Sequence, residues 1–396
     1  MVHFTVMRRP GYIPRLLEKG VRRAARQFPI VVVTGPRQSG KSTLLKHLFP
    51  SYRYVTLDDP VQRLAAKKDP SLFLDNLGKK AIVDEIQYAP DLLPYMKMAV
   101  DRDRRRGGQY LLTGSQVFPV MAGLSETLAG RVAIFELLGF SWAELRRSPD
   151  SPAACFQQLW RGFYPDPAIH GVSPSAFYSS YLATYLERDI RQIRAVHDLT
   201  VFQAFLELLA ARSGSLLKLT EVAKECGITH TAARQWLSLL ESTRIVFLLR
   251  PYFRNITKRV VKTPKLYFTD TGLLSYLLKY PNSESLRAGP MAGSLFETMV
   301  IMEQLKRKFG RAATGEFYFY RDSNGNEVDL LLDLGVRLVA AEIKLTRTVR
   351  SEHAASLWRL PAGLPVADRF LVSMTPEEFQ PRHGVKAMPW WRFEPF

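Results

Sequence analysis

The residue types best placed to do chemistry lie between positions 30 and 45, IVVVTGPRQSGKSTLL. Gly35, Pro36, Arg37, Gln38, Ser39, Gly40, Lys41 and Ser42 read G-x-x-x-x-G-K-S, a phosphate-binding loop. Its two glycines allow tight turns, so that consecutive N–H groups point at one anion. Lys41 can reach the β- and γ-phosphates of a nucleotide, and the Ser42 hydroxyl suits Mg²⁺. Thr43 follows on a helix whose positive end faces the phosphates. The β-branched run at 30–33 is expected as a strand buried on both faces.

A second apolar run, 81–85, ends in two carboxylates in the Walker B pattern. Asp84 is expected to hold Mg²⁺ through water, and Glu85 to be the general base that polarises the attacking water. The run QYLLTGS at 109–115 reads as a further buried strand. Thr113 or Ser115 then stands beside the γ-phosphate as a sensor, or simply makes a strand-to-helix turn. Arg131, just before another strand at 132–137, is placed to serve a neighbouring subunit's nucleotide as an arginine finger. Residues 52–57 read as a strand, and Asp58 and Asp59 either cap the next helix or sit near the attacking water. A helix is expected at 15–27, either as a solvated face or with Arg8, Arg9 and Arg15 in nucleotide or DNA contact.

In this order, GPRQSGKST, IVDEIQ, LLTGS, LAGRV and FELLGFSWAEL resemble a prokaryotic branch of the AAA+ ATPases, in which the ATPase is fused to a C-terminal domain of uncharacterised function. The resemblance covers nearly the whole chain and is most specific up to Leu145. It implies an ATPase using ATP and Mg²⁺, assembled as a homo-oligomeric ring such as a hexamer. Residues 141–200 resemble the helical lid, from which Arg188 and Arg191 can reach a nucleotide.

The chain has 396 residues, 46% hydrophobic and 23% charged, the composition of a multidomain globular protein. Its two cysteines, Cys155 and Cys226, lack metal-ligand spacing, which suits a reducing cytoplasm and gives no sign of zinc. No apolar run has the length of a membrane span, and the first residues lack the apolar segment of a signal peptide; a cytoplasmic protein with no membrane partner is expected. A net charge of +18 points to a polyanion, by default nucleic acid.

The segment 219–241 has the pattern of a helix-turn-helix, with Thr220 as a cap, Gly227 at the turn and Thr229 opening the second helix. That helix offers Thr229, His230, Arg234 and Gln235 to DNA. A wing hairpin is expected at 244–253. Residues 242–269 hold no acid but include Arg244, Arg250, Arg254, Lys258, Arg259, Lys262 and Lys265, a phosphate-contacting run. Arg234, Arg250, Arg254, Lys258, Arg259 and Lys262 are the expected DNA contacts, reading structure rather than sequence. A winged helix that is only a spacer is the alternative.

Further on, an amphipathic helix at 291–308 carries Glu297, and strands are expected at 316–321, 327–333 and 337–345, with Asn324-Gly325 turning the first pair. Asp329 lies in an apolar strand, and Glu342 and Lys344 share a face of the next. Glu297, Asp329, Glu342 and Lys344 resemble the PD-(D/E)XK nuclease core, with Val328 where that pattern has proline. The resemblance implies Mg²⁺ held by Glu297, Asp329 and Glu342 beside a scissile phosphate, with Lys344 positioning water. A structural pairing of Lys344 with Asp329 is the alternative. The expected fold class is α/β: an AAA+ ATPase core at 1–140, a helical lid at 141–200, a winged helix at 201–256 and a restriction-endonuclease-like domain at 257–396. The expected function is a DNA-binding ATPase that remodels or processes DNA, with a Mg²⁺-dependent nuclease. The alternative is an ATP-dependent oligomeric switch with an inert C-terminal binding domain.

Overall fold

The computed structural model describes residues 11–115, 128–146, 151–185, 198–252 and 263–396. Arg8, Arg9, Arg188, Arg191, Arg254, Lys258, Arg259 and Lys262 lie outside them. The chain divides into two compact units: Met1–Arg146 with Tyr164–Val172 and Phe309–Ala312, and the remainder.

The first unit is built on a parallel sheet. Its strands are β1 (Ile30–Thr34), β2 (Arg53–Thr56), β3 (Ala81–Asp84), β4 (Tyr110–Gly114) and β5 (Val132–Glu136), in the order β2-β3-β4-β1-β5. β1 pairs with β4 on one side and β5 on the other, all in parallel register. This explains its unbroken β-branched sequence. Ile30 and Val32 enter the core beneath helices Pro60–Lys68, Pro70–Leu77 and Leu92–Asp101, while Val31 and Val33 face helices Glu18–Gln27 and Lys41–Leu48. All four are fully buried, each contributing about 2 kcal/mol of hydrophobic stabilisation. From β1 the chain crosses to β2, while β5 lies on the other flank, so the crevice at the carboxyl end of β1 is open to a ligand. β2 is a half-exposed edge strand, and Asp59 caps the helix after it by accepting from the Val61 N–H.

The second unit contains a helical pair and an eight-stranded sheet among the described residues. Thr229 opens helix His230–Ser242, its hydroxyl accepting from the Ala232 N–H at 3.1 Å. Thr220 does not cap the preceding helix, Leu219–Glu225. Backbone pairing of Leu217 with Pro264 keeps the chain extended up to that point, and Lys218 takes the cap position without a side-chain bond. Phe202 and Phe205 pack edge-on against Trp236 of the second helix.

The sheet comprises β6 (Val246–Pro251), β7 (Lys265–Phe268), β8 (Glu316–Arg321), β9 (Glu327–Asp333), β10 (Leu338–Lys344), β11 (Val366–Ser373), β12 (Phe379–Arg382) and β13 (Val385–Pro389). Their order is β12-β13-β11-β10-β9-β8-β6-β7. β6 and β7 form an antiparallel pair, and the far end of β6 also pairs in parallel with β8. The segment 244–253, expected as a wing hairpin, instead supplies the single strand β6 of the larger sheet, and a boundary between residues 256 and 257 falls between the paired strands β6 and β7. β8, β9 and β10 form an antiparallel meander, whose first turn passes through Gly325. Helix Ala292–Arg311 buries Leu295, Phe296, Met299 and Met302. Among the described residues no helix is long and apolar enough to cross a membrane.

Candidate functional site

The loop after β1 has the backbone its glycines permit. Gly35 has a φ of +141°, and a Cβ there would stand 2.1 Å from the Leu137 carbonyl oxygen, so no other residue fits. Gly40, at φ +93°, turns the chain into helix Lys41–Leu48. Gln38 also adopts a left-handed conformation. Lys41 is buried and curls over the loop, its ammonium donating to the carbonyls of Gly35 at 3.1 Å and Pro36 at 2.8 Å. Thr43 is exposed on the first turn, and the Arg37 guanidinium donates to the Tyr88 hydroxyl at 3.0 Å.

Asp84 is the hub of the polar side of this crevice. Its Oδ1 accepts from the Ser42 hydroxyl at 2.7 Å and from the Thr113 hydroxyl, and its Oδ2 accepts from the Tyr54 hydroxyl at 2.7 Å. Burial pushes the Tyr54 phenol above its usual value, with the Asp84 carboxylate adding to the effect. Thr113 also accepts the Glu85 N–H at 3.0 Å. The Ser42 hydroxyl and the Asp84 carboxylate are thus neighbours, the pair that would hold Mg²⁺ beside bound phosphates. Glu85 itself is left-handed, at φ 59°, a conformation that costs about 1–3 kcal/mol away from glycine. Its carboxylate accepts from Ser115 at 2.9 Å and from the Gln87 amide, which also donates to Ser115.

Sequence reasoning missed Tyr54 and Gln87, and left the role of Arg15 open. Arg15 is buried rather than solvated. Its guanidinium donates to the carbonyls of Ser39 at 3.0 Å, Leu138 at 2.8 Å and Gly139 at 3.2 Å, and pairs with Glu144 at 3.1 Å. It therefore fastens the phosphate-binding loop to the segment after β5. Glu144 in turn accepts the N–H groups of Leu16 and Ser141. Arg131 stands at the amino end of β5, which pairs with the start of β1. A five-residue strand of about 17 Å separates it from its own phosphate loop. Its guanidinium grips Asp101 through two bonds, of 2.6 and 2.9 Å.

In the second unit, three strands each present an i, i+2 pair to one place: Lys265 and Tyr267 of β7, Glu327 and Asp329 of β9, Glu342 and Lys344 of β10. Glu297 joins them from helix Ala292–Arg311. Lys265 was expected on a phosphate-contacting surface; instead it is 3% exposed. Its ammonium lies 3.3 Å from Glu297, 2.6 Å from Glu327 and 3.4 Å from Asp329. Burial pulls that ammonium down, but the combined attraction of Glu297, Asp329 and Glu327 outweighs it and holds Lys265 above the usual lysine value. Tyr267 donates to Glu297 at 2.5 Å. The β9–β10 pairing ends at Ala341, and the Asp329 carboxylate takes the N–H of Ile343 at 2.9 Å.

Lys344 is 2.5 Å from Glu342 and 3.8 Å from Asp329. The other Glu342 oxygen, Oε2, is buried without a hydrogen bond of its own, and the Ser356 hydroxyl lies near the Glu342 carboxyl. Burial, and then the Asp329 charge, push both Glu297 and Glu342 up to about 7. Among the described residues no three His, Cys, Asp or Glu side chains are arranged to hold a metal ion. The Lys265 ammonium stands between Glu297 and Asp329, two of the three carboxylates expected to hold Mg²⁺, and Glu342 pairs with Lys344.

Of the expected DNA contacts within the described residues, Arg234 is exposed on helix His230–Ser242 beside exposed Thr229, His230 and Gln235, and Arg250 is exposed on β6.

The parallel sheet, the phosphate-binding loop and the Asp84 hub together define an AAA-type ATPase domain, and a family model described as AAA domain matches residues 27–146. Two domains of unknown function come after it: DUF8612 matches residues 153–284, and DUF4143 residues 292–393. The chain belongs to the family of the uncharacterized proteins Rv2008c of Mycobacterium tuberculosis and Mb2031c of Mycobacterium bovis. Each is 36% identical over 370 residues, which cover 90% of this chain and 80% of the relative. Among solved structures it is similar to the Walker-type ATPase paby2304 of Pyrococcus abyssi, at 14% identity and a TM-score of 0.42, covering 66% of this chain and 94% of that one. It is also similar to AMPPCP-bound DnaA from Aquifex aeolicus, at 12% identity and a TM-score of 0.30, covering 57% and 86%.

Proposed function

We propose that this chain is a DNA-binding AAA+ ATPase that couples hydrolysis of Mg²⁺-ATP to remodelling of DNA, working as a homo-oligomer. The observation that carries the reading is the Asp84 hub, with Ser42 and Thr113 on one carboxylate oxygen and Glu85 held beside it by Ser115 and Gln87. Lys41 leaves the Gly35 and Pro36 carbonyls to meet the β- and γ-phosphates. Backbone N–H groups from Arg37 to Thr43 bind the phosphate oxygens. Ser42 and Asp84 hold Mg²⁺, which when bound neutralises charge on the phosphates. Thr113 orients Asp84, and Glu85 takes a proton from the attacking water once it leaves Ser115. Arg131 serves the site of a neighbouring subunit after release from Asp101. Arg234 and Arg250 of the described residues, with Arg254, Lys258, Arg259 and Lys262, contact DNA phosphates.

The test is ATP turnover by wild type, Lys41→Ala and Glu85→Gln, with and without duplex, forked and single-stranded DNA. Lys41→Ala should bind ATP weakly. Glu85→Gln should bind it normally and hydrolyse it about 100-fold more slowly or worse, the usual range for loss of a general base. Wild-type turnover by Glu85→Gln would refute the assignment. The competing reading gives the C-terminal unit Mg²⁺-dependent cleavage of DNA on the convergence of Asp329, Glu342 and Lys344, and it is incompatible with the inference drawn below that Lys265 keeps divalent metal out. Mn²⁺-dependent cleavage of the same DNAs, lost in Asp329→Asn, would establish it.

A further inference from the structure

We infer that Lys265 is the resident cation of the carboxylate cluster in the second unit, and that its ammonium excludes divalent metal from it. Nucleotide chemistry in the first unit plays no part in this inference.

The geometry is that of a filled site. Three carboxylates, two from β9 and one from a helix, surround one ammonium within 3.4 Å, and that ammonium is almost wholly removed from water. A buried ammonium persists only where paired carboxylates compensate it. Most of the oxygens a metal would use are already engaged. Asp329 gives Oδ1 to Lys265 and Oδ2 to the Ile343 N–H. Glu297 gives Oε1 to both Lys265 and Tyr267. Glu327 is shared between Lys265 and Arg321. Glu342 gives Oε1 to Lys344. Its buried Oε2 and the second oxygen of Glu297 are two where Mg²⁺ or Ca²⁺ needs six or more ligands in all. A divalent ion at Glu342 would meet the Lys344 ammonium, and one at Asp329 would meet both Lys344 and Lys265, which repel it.

Removing the ammonium reverses the electrostatics of the cluster. Glu297, Glu327 and Asp329 then face one another across a buried space with no positive charge at its centre. Like charges this close raise the affinity of the cluster for any small hard cation. The position of Lys265 in sequence fits a fixed occupant: it lies on a paired strand, two residues from Tyr267, whose hydroxyl anchors the same Glu297.

The experiment is a calorimetric titration of the full chain, free of nucleotide, with Mn²⁺ at pH 7.5, alongside melting curves with and without Mn²⁺. Wild type should show no Mn²⁺ binding that depends on Asp329, and no Mn²⁺-dependent rise in melting temperature. Lys265→Met should melt lower without metal, gain one Mn²⁺ site at least 100-fold tighter than any wild-type binding, and regain melting temperature with Mn²⁺ by mass action. Lys265→Met with Asp329→Asn should lose that site. Lys265→Gln, which keeps hydrogen-bond donors but no charge, should gain the same site and serves if Lys265→Met is not recovered folded. Wild-type Mn²⁺ binding abolished by Asp329→Asn would overturn the inference. So would a folded Lys265→Met or Lys265→Gln chain that gains no site.

Discussion

At the scale of single residues, the two buried ion networks behave differently. Arg15 serves three backbone carbonyls and one carboxylate and stacks on Phe140, so its loss leaves the buried Glu144 carboxylate without its cation. Arg15→Met should destabilise the first unit by about 3–5 kcal/mol, the usual cost of stripping a buried pair of one partner. Denaturant unfolding measures it. Arg15→Lys should not rescue it, since an ammonium cannot reproduce the fork that spans Ser39, Leu138 and Gly139. In the second unit the sensitive variable is pH. Glu297 and Glu342 stand at about 7 in the folded chain against an ordinary glutamate value of 4.5. Between those values the folded state binds more protons than the unfolded one. Their contribution to stability is therefore full below about pH 4.5 and is lost as pH rises through 7. Denaturant unfolding at pH 5, 6, 7 and 8 should show stability of the second unit falling over that range. Glu297→Gln and Glu342→Gln should each flatten the fall, and an unchanged slope would refute the assignment.

At the scale of elements, the exposed row on helix His230–Ser242 and the outer side of β6 make a salt-dependence test possible. If Arg234 and Arg250 meet phosphates together with Lys258, Arg259 and Lys262, the logarithm of DNA affinity should fall steeply with that of salt. Each lost contact should then flatten the slope by about 0.9. Changing Arg234 and Arg250 to Ala should reduce it by about 2 across unrelated sequences, as filter binding or anisotropy would read. The strands were legible where local pattern decides. The apolar run of β1, buried on both faces, and the Asn324-Gly325 turn between β8 and β9 follow from neighbours in sequence. Loop geometry at Gly35 and Gly40 was legible for the same reason. What stayed hidden depends on distant partners. Lys265 reads as one more cation in a basic run, and only Glu297, Glu327 and Asp329 turn it inward. Arg15 is likewise fixed by residues 138–144, far along the chain. The wing hairpin expected at 244–253 is a single strand, because its partners β7 and β8 come from farther along the chain.

At the scale of the whole molecule, Arg131 provides the test of assembly. It cannot reach its own phosphate loop along β5, so a catalytic role requires a second subunit. Mixing Arg131→Ala with Lys41→Ala chains should restore part of the ATPase activity that each lacks alone, because intact sites can form between the two. Sedimentation should show a multimer with ATP, and a monomer at every concentration would end the oligomer reading. The central position of β1 has a different consequence, for synthesis. Its two neighbours are β4 and β5, and the pairing of Ile30 with Val132 cannot form until the later strand has left the ribosome. At about 5–20 residues per second, the chain between them takes on the order of 5–20 s to make. For most of that interval the stickiest segment of the nascent protein, IVVV, has neither edge covered. The strand that anchors the phosphate loop is thus also the one most dependent on protection by a chaperone.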